Sequence, residues 1–418
     1  MMTRDLHNDQ DQGPDYVPPL PRVAIQAFCE TYEVKQVMQS IQLDRRLNKV
    51  MFKVQDGGMA ACLEAYRGAA TPNVIIIEAS NDRQGLLARL DELSQYCDAG
   101  TQVLVIGQTN DVVLYRELIK RGVSEYLIAP VSLMDVVTAL SGMFNTAEGS
   151  RLGRLVTVVG AKGGVGASTI AHNLAFMIAG DLEIATTLVD LDLPFGTAGL
   201  DFNQDPPQGI AEALFSPERL DTNFVDRLLS KCTDNLSLLA APSTLDRTYD
   251  FRETDFDAIL DILRATTPLI VLDMPHVWNA WTRRLLINSD EVLIVAAPDL
   301  ANLRNAKTII DVMRTARPND AKPGIILNMV GIPKRPEIGV PEFAKALDCD
   351  VIASLAFDPN LFGTAANNGQ MLVEVQAKAK QVLLLNEVAR RMMGRGEMKA
   401  SKKSFLEPLL SKLKGKAA

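Results

Sequence analysis

The sequence predicts an α/β protein built from two parallel sheets in series, a smaller one followed by a larger one with helices on both faces. Three observations carry that expectation. Short apolar runs rich in Val, Ile and Leu recur along the chain, stretches of helical spacing separate them, and a glycine-rich segment stands between one such run and one such stretch. With 418 residues, 47% hydrophobic and only 22% charged, the chain can bury more than one core, and at about 150 residues per domain it holds two or three.

Val23–Phe28 reads as the first strand, followed by helical spacing over Glu33–Ile41. Lys49–Val54, Val74–Ile77, Gln102–Ile106 and Glu125–Ile128 read as four more strands. Between them, helices are expected around Met59–Tyr66 and over Asp82–Cys97, Asp111–Lys120 and Ser132–Phe144. This places a first parallel α/β domain over 22–145, preceded by a polar leader, 1–21, with too few large apolar groups to offset the entropy of ordering it. Residues 146–154 lack apolar periodicity and read as a linker.

A second domain spans 155–393. Its strands are predicted at Leu155–Val159, Ala185–Val189, Leu236–Ala240, Leu269–Leu272, Glu291–Ala296, Gly324–Asn328 and Val351–Leu355, runs continuous enough to be buried on both faces of a central sheet. A basic tail, 394–418, follows.

Charge and composition narrow the function classes. The net charge is -8, yet residues 390–418 alone carry nine Lys or Arg against two acids. An acidic body argues against wholesale coating of nucleic acid, so no specific nucleic acid is expected, while the tail stays open to anionic surfaces. No stretch reaches about 18 uninterrupted apolar residues, and the acidic N-terminus is unlike a secretion signal. Cys29, Cys62, Cys97, Cys232 and Cys349 are odd in number and widely spaced, which reads as reduced thiols in a cytoplasmic protein. His7, His172 and His276 show no metal-ligand spacing.

The strongest chemical signal is Gly160-Ala161-Lys162-Gly163-Gly164-Val165-Gly166-Ala167-Ser168-Thr169, which follows a strand and opens a helix. Glycines let backbone N–H groups approach a phosphate closely, and a helix N-terminus adds partial positive charge. Ser168 falls where a P-loop hydroxyl ligates Mg²⁺. Against the pattern GxxxxGK[ST], Ala161 stands at the first glycine and Ala167 at the lysine that normally reaches the β- and γ-phosphates.

This loop resembles that of the MinD/ParA group of P-loop ATPases, KGGxGK[ST], whose signature lysine before the glycines is present as Lys162. The resemblance extends over about 155–390. It implies ATP and Mg²⁺ as cofactors, a homodimer closed around ATP with Lys162 reaching the partner's phosphates, and phosphate contacts from Gly163, Gly164, Val165, Gly166, Ala167, Ser168 and Thr169. Val189-Asp190-Leu191-Asp192 resembles the family's DxD segment, with Asp192 orienting the attacking water and Asp190 on the magnesium side. Leu269-Ile270-Val271-Leu272-Asp273 resembles the Walker B strand, with Asp273 holding magnesium through water. Asn328 lies where the family places an asparagine on adenine, and Pro298 and Asp358-Pro359 lie where its base-lining loops occur. Taken singly, each strand-end Asp could equally be a helix cap.

The first domain resembles a response-regulator receiver whose chemistry has been lost. The acidic pair after strand one is absent, Glu78 stands at the phosphoacceptor position, and Ala129 precedes Pro130 where a lysine is needed. A degenerate receiver fused to a MinD/ParA-like ATPase without the second P-loop lysine is similar to the CpaE/TadZ family of tad (Flp) pilus-assembly proteins. That resemblance implies a positioning scaffold at the cell pole, partnered by the pilus secretion ATPase and other tad assembly proteins, with slow or absent hydrolysis. The tail mixes lysines with Phe405, Leu406, Leu409, Leu410 and Leu413, and is open either to contact with a membrane surface or to a solvated role. A ParA-type ATPase partitioning DNA or other cargo, a receiver-gated regulator, and a scaffold that has lost nucleotide are the alternatives.

Overall fold

The computed structural model describes residues 16–79, 82–144, 152–245 and 247–394. Five strands, β1 (Ala24–Cys29), β2 (Met51–Asp56), β3 (Val74–Glu78), β4 (Gln102–Gly107) and β5 (Glu125–Ile128), form an all-parallel sheet in the order β2-β1-β3-β4-β5. That is the doubly wound order expected of a receiver-like sheet. Helices α1 (Tyr32–Ile41), α2 (Gly58–Tyr66), α3 (Arg83–Leu93), α4 (Val112–Lys120) and α5 (Leu133–Phe144) alternate with the strands. They cover both faces, one core gathering around Phe28, Ile75 and Leu118 and the other around Ile25, Met38 and Val136.

The larger sheet contains β6 (Arg154–Gly160), β7 (Thr186–Asp190), β8 (Ser230–Lys231), β9 (Leu236–Leu239), β10 (Leu269–Met274), β11 (Glu291–Ala296), β12 (Gly324–Val330) and β13 (Val351–Ala356). Their order is β13-β12-β11-β6-β10-β7-β9-β8, parallel throughout except for the β8–β9 pair. α6 (Ala167–Asp181) and α7 (Ala198–Asp201) lie between β6 and β9 in sequence. Separate cores line the two faces, as a sheet with helices on both sides requires.

Two differences from expectation have local causes. β8 has only two residues, Ser230 and Lys231, and no apolar run to announce it. The helix expected over Asp82–Cys97 ends at Leu93, where the Ser94 hydroxyl donates to the Asp91 carbonyl (2.8 Å) and turns follow. Of the expected leader, residues 16–21 are packed: Leu20 is 1% exposed, its N–H donates to Arg46 O (2.9 Å), and the Tyr16 hydroxyl donates to Asp290 (3.0 Å). Tyr16, Val17 and Leu20 supply the apolar area that the rest of the leader lacks. Residues 1–15, most of the 146–154 linker and the tail beyond Gly394 lie outside the described residues.

A buried ion network joins the two sheets. Arg45, in a 3-10 turn after α1, donates to Asp290 (3.1 Å) and to Asp320 (2.6 Å), and all three side chains are at most 6% exposed. Asp290 also accepts from Arg264 (2.6 Å) and from Leu155 N (2.9 Å), and Asp320 from Arg317 (2.8 Å) and Arg46. Burial alone would raise both carboxyls, but the neighbouring guanidinium groups outweigh it and hold both below the usual range. Asp290 immediately precedes β11 and bonds the N-terminal end of β6. The smaller sheet is therefore anchored at the opposite end of β6 from the glycine-rich turn, about 20 Å away at 3.3 Å per residue.

Candidate nucleotide and metal site

β6 ends at Gly160 and α6 starts at Ala167, so residues 161–166 form the turn between them. Gly164 (φ 78) and Gly166 (φ 84) adopt left-handed backbone, which a side chain would strain, and Gly166 caps α6. Three side chains from other elements hold carbonyls of this turn and of the strand residue before it. Asn305 Nδ2 donates to Ala161 O (2.9 Å), Asn328 Nδ2 to Val165 O (2.9 Å), and His276 Nδ1 to Gly160 O (3.2 Å). With those carbonyls tied back, the first-turn N–H groups of α6, which have no partner within the helix, face the mouth of the turn as an anion cradle. Gly163 and Gly164 are exposed and Val165 is buried, while Ala167, Ser168 and Thr169 are half-buried in the first turn of α6. Lys162 is exposed, and its charge is among the groups that hold the Asp299 carboxyl low, after burial, which opposes them, and the bonds from Asn302.

The acidic half of the site sits one strand over. Asp190, the last residue of β7, stands directly opposite Asp273 of β10 in the sheet register. Asp190 Oδ1 accepts from Asp192 N and Oδ2 from Ala198 N, each at 3.1 Å. Burial raises the Asp190 carboxyl and the Asp273 charge raises it further, to about 7. Asp192 is half-buried and also shifted up by burial. Asp273 is 2% exposed; its Oδ2 lies 3.1 Å from His172 Nε2, whereas its buried Oδ1 has no partner among the described residues. That orphaned oxygen, the Asp190 carboxyl and the Ser168 hydroxyl are each hard oxygen donors of the kind Mg²⁺ takes, so the chemistry of these residues fits the ion.

Burial would lower the His172 imidazole, but its bonds to Asp201 and Asp273 outweigh burial and raise it. The sequence singled out neither this residue nor Asn305. A histidine on the buried side of a helix and an asparagine in another helix carry no motif, and only the fold brings them to the site.

The base-lining candidates fall at the same C-terminal edge of the sheet. Pro298 follows β11, and its carbonyl accepts from Ile338 N (2.9 Å). Asp358 caps the helix Pro359–Asn368 by accepting from Leu361 N (3.0 Å), which is the bland role open to any strand-end Asp. Asn328 is 4% exposed, and its Nδ2 donates to Val165 O of the glycine-rich turn.

In the smaller sheet, Glu78 at the end of β3 is satisfied internally. It accepts from Glu30 N (2.7 Å), Thr31 N (2.8 Å) and the Thr31 hydroxyl (2.6 Å), closing the β1–α1 turn. Incubation with labelled acetyl phosphate is expected to leave this position unlabelled. Label recovered on Glu78 would show a working acceptor.

A glycine-rich turn after a central strand, with strand-end carboxylates on the neighbouring strands, defines a P-loop nucleotide-binding fold. Residues 153–322 match the family model described as AAA domain. The septum site-determining protein MinD of Helicobacter pylori is 26% identical over 250 residues, 57% of this chain and 90% of that protein. The crystal structure of a ParA family ATPase from Chlorobium tepidum superimposes with a TM-score of 0.52 at 24% identity, covering 56% of this chain and 98% of its own. The crystal structure of a pilus assembly protein CpaE from Caulobacter crescentus is 41% identical over 31% of this chain and 98% of its own, with a TM-score of 0.30. The larger sheet has the P-loop fold of the MinD and ParA proteins it resembles.

Proposed function

We propose that this protein is an ATP-binding positioning scaffold for Flp (tad) pilus assembly, of the CpaE/TadZ type, which dimerises around ATP and hydrolyses it slowly or not at all. The observation that carries this reading is a phosphate loop that keeps Lys162 but has Ala167 in place of the second lysine, behind a receiver-like sheet whose acceptor position is the internally bonded Glu78. Both halves thus keep the architecture of a switch and lack a group its chemistry needs.

In this reading the N–H groups from Gly163 to Thr169 hold the phosphates, Ser168, Asp190 and Asp273 hold Mg²⁺, and Asn328, Pro298, Asp358 and Pro359 border the base. When bound, Mg²⁺ neutralises charge on the β- and γ-phosphates. Asp192 orients a water, and Lys162 of each copy reaches the other's phosphates. Pilus secretion ATPase and other tad assembly proteins are the proposed partners. The proposed place is the cytoplasm, at the cell pole or at the inner face of the inner membrane. Contact with that membrane would fall to the basic tail, which lies outside the described residues. Among the described residues no helix is long and apolar enough to cross a membrane.

Light scattering with and without Mg²⁺-ATP, on wild type and Lys162→Ala, tests the proposal. The expected result is a doubling of mass with nucleotide that the substitution abolishes. A mass indifferent to ATP in both would reduce the chain to a constitutive scaffold.

A further inference from the structure

His172 is completely buried in α6, and each of its ring nitrogens meets a different carboxylate. Nδ1 lies 2.7 Å from Asp201 Oδ2, and Nε2 lies 3.1 Å from Asp273 Oδ2. Burial of one imidazole requires a partner for its polar atoms, but not two acids from two separate elements. Asp273 belongs to β10, whereas Asp201 closes α7, a single turn with no side-chain cap at its start. The segment leading into α7 begins at Asp190 and contains Asp192.

We infer that His172 is a positioning residue that sets the orientation of the Asp273 carboxylate and ties it to the 192–201 segment. This rests on the nucleotide reading above and adds to it a route by which the state of the metal site reaches the surface.

One consequence is local. With Oδ2 of Asp273 held by the ring, Oδ1 is the oxygen left without a partner among the described residues, so the ring determines which oxygen is free for a metal-bound water. The other consequence is coupling. Asp190 holds the start of the 192–201 segment through the N–H groups of Asp192 and Ala198, and the His172–Asp201 bond holds its end. A change in how Asp273 is bonded therefore bears on α7 through one rigid ring. That segment also displays Phe195 (72% exposed) and Leu200 (73% exposed), two large apolar side chains presented to solvent.

The test uses the full chain in two arms. In hydrogen–deuterium exchange without nucleotide, His172→Phe and Asp201→Asn are each expected to speed exchange of the 198–203 amides about tenfold or more, with the five-stranded sheet unchanged. In the second arm, Mg²⁺ is titrated into the protein with a fluorescent ATP analogue. His172→Phe is expected to raise the half-saturating Mg²⁺ about tenfold or more while leaving affinity for the metal-free analogue unchanged, and His172→Gln to restore part of the loss. A purely structural role would move both affinities together. Exchange at 198–203 equal to wild type in both variants would overturn the inference. Wild type that binds no analogue would overturn the proposed function instead, and the exchange arm would then decide the inference alone. Asp201→Asn keeps the test open if His172→Phe fails to fold.

Discussion

Arg45→Ala is expected to cost about 3 kcal/mol of stability or more, because it removes one partner from a buried ion network and leaves the others desolvated. Arg45 is 6% exposed and serves two carboxylates at once, Asp290 and Asp320, which are 0% and 6% exposed. Arg264 stays on Asp290, and Arg317 and Arg46 stay on Asp320, so the loss should fall at the lower end of the range for broken buried pairs. The midpoint of urea unfolding, followed by circular dichroism, is the measurement. A double-mutant cycle of Arg45→Ala with Asp320→Ala separates the pair from the rest of the network and is expected to show a clear favourable coupling. Coupling near zero would mean that the neighbouring arginines do the same work without Arg45.

The second large effect is a gain. Ala167→Lys is expected to raise ATP turnover about 100-fold, since a fixed positive charge at developing phosphate charge is worth about 3 kcal/mol in the transition state. The position is suitable: Ala167 is the first residue of α6, half-buried, next to the capping Gly166. Ala167→Met adds similar length without charge and is expected to leave turnover at the wild-type level. Phosphate release under saturating Mg²⁺-ATP reads both variants. If lysine and methionine behave alike, the missing charge is not what limits hydrolysis.

Most of the fold was legible because its strands are buried on both faces, and a continuous Val/Ile/Leu run has few other uses. Glu125–Ile128 and Glu291–Ala296 match their expected spans to the residue, and most other strands differ by one or two residues at an end. Ser230–Lys231 was invisible because an edge strand of two polar residues is made by its partner rather than by its own pattern. The glycine-rich turn was legible for a different reason: a strand-to-helix turn with left-handed backbone needs glycine at fixed places, and Gly164 and Gly166 occupy such backbone. Asn305, His172 and the bond from His276 were not legible. Each acts across the sheet on residues more than 100 positions away, and a single side chain at that separation leaves no periodic trace.

The network around Arg45 also limits what can be done with the gene. Its charges are shared between sequence segments as far apart as Arg45 and Asp320, so neither sheet is an interchangeable cassette. A fragment beginning near residue 152 would present the carboxylates of Asp290 and Asp320 without the guanidinium groups of Arg45 and Arg46, while the complementary fragment would leave Arg45 without either carboxylate and Arg46 with Asp44 alone. Chimeras that graft this front sheet onto another ATPase need the acceptors transplanted with it. Fluorescent or affinity fusions are best placed at the chain ends rather than at the junction.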